Sequence, residues 1–305
     1  MDVGRIGPLA EFLTARRAQL QPEDVGLLRE RGRRVAGLRR SEVADLAGIS
    51  VDYYLRLEQG RDRQPSAQVL ASMSRALRLD HVADTYLHRI VQSSGGRPRA
   101  TERQALEDVE EILRTWGTSP AYITDAHHDI IAVNRAAQIV APAYLRVGRN
   151  LLLDVFAGSE SAHDDESWND TARRLVAALR FQADPSSPRL REILGILSVE
   201  HRVFRQLWSR HEAFPQTSGT TMSEIDGHGW VDLKWLTLDV PGEVGLFVTT
   251  FSADAGSPGA AALASIRAAS AVHSEGRRPA RIDASASNFV SDAASTPDSS
   301  MIASA

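Results

Sequence analysis

The chain has 305 residues, 43% of them hydrophobic and 24% charged, which is long enough and apolar enough for two domains with buried cores. It has no cysteine, so disulfide bonds and thiolate metal sites are excluded. The formal net charge is −4, but residues 1–95 hold 15 arginines against 12 acidic residues, so contact with nucleic acid is expected from the N-terminal part.

The first residues of the chain and the lengths of its apolar runs indicate where in the cell the protein is expected. Met1–Arg5 lacks the apolar stretch of a signal peptide, and runs such as Leu151–Leu153 are far too short to cross a membrane. We therefore expect a cytoplasmic protein without a membrane partner.

The first predicted helix spans Leu9–Leu20 and ends before Pro22. Residues 39–60 then form the most informative pattern, a helix, a glycine-centred turn and a second short helix. Gly48 stands where a sharp turn requires a positive φ, and Ser50 is placed to cap the second helix. This is the layout of a DNA-reading helix-turn-helix.

Each helix of this motif has an apolar side and a polar side. Val43, Leu46 and Ala47 share one face of the first helix, whereas Tyr54 and Leu57 point into the core from the second. The residues left facing outward on the second helix are Val51, Asp52, Tyr53 and Arg56. Such a short polar face at a helix N-terminus is typical of side chains that meet base edges in the major groove.

Arginines flank the motif on both sides. Residues 29–40 contain six arginines and one acid, and Arg61 and Arg63 follow the second helix. Guanidinium groups in these places are suited to bidentate pairing with phosphates. An ordinary helical hairpin with a solvated arginine-rich face is the alternative. We favour DNA binding because the motif and the arginines coincide.

Two further helices complete the N-terminal head. Pro65–Leu77 carries an apolar stripe, and a fifth helix runs through Val82–Ile90 before Ser93–Pro98 breaks the pattern. The sequence thus predicts an all-α, five-helix DNA-binding domain at 7–92 and a linker at 93–100.

These residues resemble the head of the Xre-type helix-turn-helix regulators, and within that group the MmyB-like branch with a C-terminal ligand-binding domain. The matching runs are Leu38–Ala44, Ala47–Tyr54, Arg56–Arg61 and Pro65–Ser66. The resemblance implies that Glu58 and Gly60 are fold residues that close the turn after the DNA-reading helix. It also implies that the positions approaching DNA are those of Arg40, Ser50, Val51, Asp52, Tyr53 and Arg56.

Asp52 has two open interpretations, because phosphates repel a carboxylate. It either pairs with Arg56 one turn along the helix or accepts a hydrogen bond from a cytosine amine. With the flanking arginines added, the residues predicted to contact DNA are Arg33, Arg34, Arg39, Arg40, Ser41, Ser50, Val51, Asp52, Tyr53, Arg56, Arg61 and Arg63.

Residues 101–264 differ from the head in their pattern, which predicts a helix over Thr101–Trp116 and then short strands. The predicted strands are Ala121–Thr124, Asp129–Asn134, Thr220–Ile225, Trp230–Val240 and Glu243–Phe251, with helices Trp168–Ala183, Pro188–Leu197 and Glu200–Trp208 between the second and third. In the fourth strand the apolar parity changes after Trp235, which predicts either burial on both faces or a bulge. A sheet with helices inserted in this place is an α+β, PAS-like domain.

The MmyB-like resemblance implies the same PAS-like fold, on the runs Ser119–Tyr122, Asn134–Ala137, Phe204–His211 and Gly256–Pro258. It implies a small hydrophobic, fatty-acid-like ligand between sheet and helices, with an apolar lining and one or two polar anchors. Val133, Glu212 and Phe251 stand where such domains often have Trp, Asp and Tyr. The candidate ligand-binding residues are Tyr122, Val133, Asn134, Trp208, Arg210, His211, Trp235 and Phe251.

The chain has nine histidines, and several stand beside acidic residues, which would suit a metal site or acid–base catalysis. The recurrent catalytic signatures are missing, so we expect neither an enzyme nor a cofactor. His127 and His128 are expected to be solvated in a turn. His211 fits either a helix C-terminus favoured by the dipole or an anchor for the polar end of a ligand. A metal-dependent enzyme would need His201, His211 and an acid to converge.

Residues 265–305 are rich in Ala and Ser and are predicted to be disordered. Taken together, the sequence predicts a transcriptional regulator that senses a small ligand and acts as a homodimer on double-stranded DNA. Its operator is expected to be an inverted repeat with half-sites about one helical turn, roughly 34 Å, apart. The rival hypotheses are a protein–protein adaptor that uses the head as a docking module and a metal-dependent enzyme.

Overall fold

A computed structural model describes residues 7–29, 33, 35, 37–62, 64–92, 109, 111–158, 166–240 and 245–274. In these ranges an all-helical head is followed by a C-terminal domain built on a five-stranded sheet, which confirms the predicted fold class. The predicted linker at 93–100 lies outside the described residues. None of the helices in these ranges is long and apolar enough to cross a membrane.

Five α-helices form the head, with the predicted DNA-reading helix third. They are α1 (Pro8–Gln19), α2 (Arg40–Ala47), α3 (Val51–Glu58), α4 (Ala67–Ala76) and α5 (His81–Gln92), with a 3₁₀ turn at Pro22–Val25. Their apolar side chains meet in one core that includes the fully buried Leu13, Tyr54 and Leu87. Helix α1 packs against α3 and α5, while α2 packs against α3 and α4. Burial of these side chains is the main favourable term for the fold.

Leu46 does not lie in this core as the sequence predicted, since its side chain is 39% exposed. The buried face of α2 is formed by Val43, Ala44 and Ala47. At 100° per residue, Leu46 points roughly 110° away from the centre of that face. The small Ala44 takes the place in the core that the sequence pattern gave to Leu46.

The start of α2 is held by a buried ion pair. Glu42 accepts a hydrogen bond from the backbone N–H of Arg39 at 2.6 Å and two from the Arg33 guanidinium at 2.5 and 2.6 Å. Arg33 also donates to the Gly37 carbonyl at 2.7 Å, and its side chain is only 2% exposed. The predicted phosphate contact of Arg33 is therefore replaced by a structural role, because its guanidinium is enclosed by the head.

The C-terminal domain is built on an antiparallel sheet with the strand order β2-β1-β5-β4-β3. The strands are β1 (Ala121–Asp125), β2 (Ile130–Val133), β3 (Ser218–Ile225), β4 (Gly229–Asp239) and β5 (Leu246–Ser252). The predicted insertion of helices between the second and third strands is confirmed.

Helices cover this sheet and form a second core beside it. They are α6 (described at residues 109 and 111–116), α7 (Arg135–Val140), α8 (Leu151–Ala157), α9 (Glu166–Gln182), α10 (Pro188–Glu200), α11 (Arg202–Ser209) and α12 (Pro258–Ser274). One sheet face packs against α7 and α12, and the other face packs against α6. Helices α8 to α11 bury a separate helical core around Phe156 and Phe204.

Two expectations for this domain are wrong. Leu236 and Leu238 are each 43% exposed and the pairing of β4 is regular, so β4 has neither the double burial nor the bulge near Trp235. The described residues of α6 pack on the sheet face that carries Leu236 and Leu238, but they meet β1, β2 and β5 there and not these two leucines. The predicted disordered tail also begins too early, because α12 continues to Ser274 and buries Ile266 against the sheet. Residues 275–305 lie outside the described ranges.

Acid unfolding tests the pairing that holds α2. Hydrogen bonds from Arg33 lower the pKa of Glu42 from 4.5 to about 2. A carboxylate with a depressed native pKa stabilises the fold above pH 4.5, and this contribution is lost as the pH falls towards 2. We expect Glu42→Gln to lower the free energy of unfolding by about 1.5–3 kcal/mol at neutral pH, and the difference from wild type to shrink on acidification. Urea denaturation at several pH values measures it.

The exposed Glu23→Gln is the matched control and should leave the free energy of unfolding almost unchanged. A deficit in Glu42→Gln that stays constant down to pH 2 would contradict the role given to the ion pair.

Candidate nucleic-acid interface and ligand-binding core

Local geometry sets the turn between α2 and α3. Gly48 has a φ of 67°, in the left-handed region that favours glycine. The backbone N–H of Ile49 donates to the Ala44 carbonyl at 3.0 Å, which closes the end of α2. The Ser50 hydroxyl oxygen accepts from the Tyr53 N–H at 3.1 Å and caps α3. The structural roles predicted for Gly48 and Ser50 are thus confirmed.

A buried carboxylate connects α3 to both neighbouring helices. The Glu58 side chain is 1% exposed and accepts from Arg17 Nε of α1 and from Arg40 Nε of α2, each at 2.6 Å. A buried carboxylate requires such partners, because an unpaired buried charge is costly. The family resemblance implies that Glu58 is a fold residue, but no pattern in the sequence singles out Arg17. No local signal links two residues that are 41 positions apart.

Arg40 is oriented by this bond and still reaches solvent. Its side chain is 51% exposed, while Glu58 holds the Nε side of the guanidinium. A guanidinium has five N–H donors in a planar fork, so the ion pair leaves donors for a phosphate or a base. Arg40 therefore presents a preoriented cation beside the N-terminus of α2.

The outward face of α3 carries the other predicted reading residues. Val51 is 44% exposed, and the side chains of Asp52 and Arg56 are 75% and 46% exposed. Arg56 forms an ion pair with Asp52, the first of the two interpretations of Asp52, and its guanidinium lies 5.4 Å from the ring centroid of Tyr53. These two contacts restrain Arg56 while keeping it in solvent.

The other residues predicted to contact DNA differ in how far they are exposed. Ser41 and Arg61 are exposed, and Arg39 is half-buried at the N-cap of α2. Arg34 and Arg63 lie outside the described residues. The exposed cations closest in sequence to the turn are therefore Arg40, Arg56 and Arg61.

Four of the predicted ligand-binding residues share one core between the sheet and helices α7 and α12. Tyr122, Val133 and Phe251 are buried there, and Trp235 packs against them. The rings of Tyr122 and Phe251 have centroids 6.0 Å apart. Burial raises the pKa of the Tyr122 phenol to about 12, so it stays a protonated hydroxyl at neutral pH. This core combines an apolar lining with the buried phenol of Tyr122, which forms a hydrogen bond with the buried Thr249 hydroxyl.

Asn134 acts in the fold of this core. Its amide oxygen accepts from the N–H groups of Ala137 at 2.9 Å and Ala121 at 3.1 Å, and its amide nitrogen donates to the Ser119 carbonyl at 2.7 Å. It thereby caps α7 and holds the start of β1. These bonds use its polar atoms for the backbone, so its predicted contact with a ligand stays a prediction.

The other three predicted ligand residues lie elsewhere, where the C-terminal domain meets the head. Trp208 packs on the helical core, and the Arg180 guanidinium lies 3.7 Å from its ring centroid. Arg210 and His211 follow the end of α11, and the Arg210 carbonyl accepts from Gln19 Nε2 of α1 at 3.2 Å. Here α1 and the end of α11 enclose a cleft of about 370 Å³.

The two histidines of the β1–β2 turn are buried and not solvated as predicted, with 8% of His127 and 2% of His128 exposed. The turn lies beneath α9, and His128 Nε2 is 3.1 Å from the Leu175 carbonyl. Burial lowers the pKa of His128, so the neutral imidazole donates this hydrogen bond. The sequence pattern could not show that α9 packs over this turn.

One group of three metal-ligating side chains occurs in the described ranges: Asp125, His127 and Asp129 lie within 4.8 Å of one another. Asp129, however, accepts two hydrogen bonds from Arg189 at 2.6 and 2.8 Å. A cation would have to displace this guanidinium. His201 does not converge with a second histidine and an acid in this part of the chain, as a metal-dependent enzyme would require.

Comparison with known families agrees with this division of the chain. The family described as the MmyB-like transcription regulator ligand binding domain matches residues 105–266, which contain the sheet, α7 to α11 and the first nine residues of α12. A helix-turn-helix domain family matches residues 8–85, which contain α1 to α4 and the first five residues of α5. No curated protein matches the chain. The chain therefore has a DNA-binding helix-turn-helix head and a ligand-binding domain, and it belongs to the MmyB-like transcription regulators.

Proposed function

We propose that this regulator binds an inverted-repeat operator as a homodimer, reads the bases with α3, and responds to a hydrophobic, fatty-acid-like ligand. The observation that carries the DNA proposal is the pair of restrained, solvent-exposed arginines at the turn. Arg40 is held by Glu58, and Arg56 is held by Asp52 and Tyr53. Restrained side chains lose less conformational entropy when they bind.

The face of α3 is suited to the major groove. Its N-terminal residues are short or flat, and the capping hydroxyl of Ser50 lies at the end of the helix whose dipole favours phosphate. The exposed Arg56 has the fork geometry that matches the O6 and N7 atoms of guanine. When Arg56 turns to a base, Asp52 becomes available to accept from a cytosine amine.

Dimerisation is proposed from the size of the reading surface. One short helix contacts only a few base pairs, whereas two heads about one helical turn apart, roughly 34 Å, read a palindromic site. Two equivalent heads also double the number of phosphate contacts and steepen the dependence on salt.

The ligand proposal rests on the core between the sheet, α7 and α12. Apolar side chains line this core, and the buried phenol of Tyr122, together with the Thr249 hydroxyl that it meets, is a suitable partner for the carboxylate of a fatty acid. The phenol remains protonated at neutral pH and can donate to an anionic headgroup. Binding at this core requires Tyr122 and Phe251 to move apart by a change of rotamer.

Operator binding is tested by enrichment of sheared genomic DNA on the purified full chain at two salt concentrations. We expect one inverted-repeat site, bound more weakly at the higher salt. Arg40→Ala and Arg56→Ala should each cost about 1–3 kcal/mol on that site and relax the preference at one base pair. Titration of labelled operator measures both effects.

Arg191→Ala, an exposed arginine of α10 in the C-terminal domain, is the matched control and should bind like wild type. Binding that ignores salt, or that is unchanged in Arg40→Ala and Arg56→Ala, would contradict the proposal and favour the adaptor hypothesis.

Ligand binding is tested with saturated fatty acids of increasing chain length. At a free concentration of about 100 times the Kd, binding should stabilise the native protein by about 2.7 kcal/mol, which thermal unfolding detects. Tyr122→Phe should weaken the carboxylate form, because one hydrogen bond to a charged group is lost. The exposed Tyr144→Phe is the control. Equal binding by both variants, or no stabilisation at any chain length, would refute this part of the proposal.

A further inference from the structure

Helix α9 contributes to two different cores. Leu175, Val176 and Leu179 are buried in the helical core of the C-terminal domain, whereas Phe181 near the end of the same helix is buried in the core of the head. The carbonyl of Leu175 also receives the hydrogen bond from His128 in the β1–β2 turn. A displacement of α9 by the C-terminal domain therefore reaches the head through a rigid element.

The contacts of Phe181 with the head are specific. Its ring stacks on Tyr86 of α5, with centroids 5.9 Å apart and planes 27° apart. The Arg89 guanidinium lies 5.4 Å from the Phe181 centroid, and Arg89 Nη2 donates to the Gln182 carbonyl at 3.1 Å. We call these contacts, with the neighbouring cleft between α1 and the end of α11, the junction.

Unpaired buried polar atoms are concentrated at the junction, within the part of the chain that the structure describes. In the described ranges, seven buried side-chain polar atoms lack a hydrogen-bond partner, and four of them are on residues in and around the junction. These four atoms are Arg16 Nε, Arg180 Nε, Gln182 Oε1 and His211 Nδ1. Each carries a desolvation cost that water would relieve if the two surfaces separated. Apolar contacts therefore stabilise the junction, while the desolvation of its unpaired polar atoms destabilises it.

The backbone at this place is also unusual. His211 has a φ of 52°, a left-handed conformation that non-glycine residues seldom adopt. It directly follows Arg210, whose carbonyl accepts from Gln19, and both residues line the cleft. Backbone strain at His211 beside an unfilled cleft is expected where two surfaces can pack in two different arrangements.

Helix α1 connects the junction to the DNA-reading surface. Arg16 lies at the junction, and the next residue, Arg17, donates to Glu58 at the end of α3. Glu58 in turn holds Arg40. The position of α1 therefore affects Arg40, one of the two arginines proposed to contact DNA.

We propose that the junction is a reversible latch, by which the C-terminal domain holds the head in one orientation and releases it. In the latched state the two heads of a dimer have a defined separation, which matches one spacing of half-sites. In the released state each head still binds its half-site, but the spacing preference is lost. Ligand binding in the C-terminal domain then changes the ratio of the two states. This inference rests on the proposed function for its biological role.

The absence of native cysteine allows a direct test by spin labelling. Gln68→Cys in the head and Arg191→Cys in the C-terminal domain place labels on exposed positions of α4 and α10. Electron–electron distance measurements on the full chain, diluted with unlabelled protein so that a dimer carries at most one labelled chain, should give one dominant distance. Phe181→Ala should broaden the distribution and make longer distances predominant. Arg89→Ala should raise the ratio of released to latched molecules about tenfold, which corresponds to 1.4 kcal/mol.

Arg75→Ala, an exposed arginine of the head away from the junction, is the matched control and should keep the wild-type distribution. Far-UV circular dichroism verifies that each variant is folded. Should Phe181→Ala fail to fold, Arg89→Ala still decides the question. Wild-type distance distributions in Arg89→Ala and in a folded Phe181→Ala would overturn the latch.

DNA binding supplies the second readout. Phe181→Ala should bind a single half-site like wild type and lose at least tenfold in its preference for the native spacing over spacings changed by a few base pairs. A retained spacing preference in a released variant would overturn the coupling. A wild-type protein that binds no DNA would instead refute the proposed function, and the distance measurement would still report whether the junction opens.

Discussion

The geometry of the DNA-reading surface depends on one buried carboxylate. Glu58 closes α3, and its two oxygens hold Arg17 of α1 and Arg40 of α2. A single carboxylate with two arginines compensates its own desolvation and at the same time restricts how three helices meet. Apolar packing alone tolerates small rotations of helices, whereas this ion pair selects one orientation. The exposed end of the Arg40 side chain is therefore held in a defined orientation.

The C-terminal domain uses hydrogen bonds for a similar purpose. Asn134 joins the start of β1 to α7, and His128 joins the β1–β2 turn to α9. The core that we propose for the ligand lies between these two connections. The latch that we propose would pass a change of packing there to α9, whose far end is buried in the head. Helix α9 thus contacts both the β1–β2 turn of the C-terminal domain and the core of the head.

Much of the head could be predicted because its signals are local. The φ of Gly48, the cap at Ser50 and the i,i+4 pair of Asp52 and Arg56 depend on residues within one or two turns. Two predictions were wrong, one because a residue has a partner elsewhere in the head and one because a different side chain fills the core. Arg33 is enclosed by the head with Glu42, and Leu46 yields its place in the core to Ala44.

The sequence by itself determined the helices of the head, the five strands of the sheet, the helix-turn-helix and the family, since periodicity, capping and turn chemistry act over a few residues. Only the tertiary structure decided that Arg17 and Arg40 share one carboxylate and that His128 is buried under α9. It also separated Trp208 and His211 from the core of Tyr122 and brought them to the head. Contacts between residues far apart in the chain are set by packing, which leaves no periodic trace in the sequence.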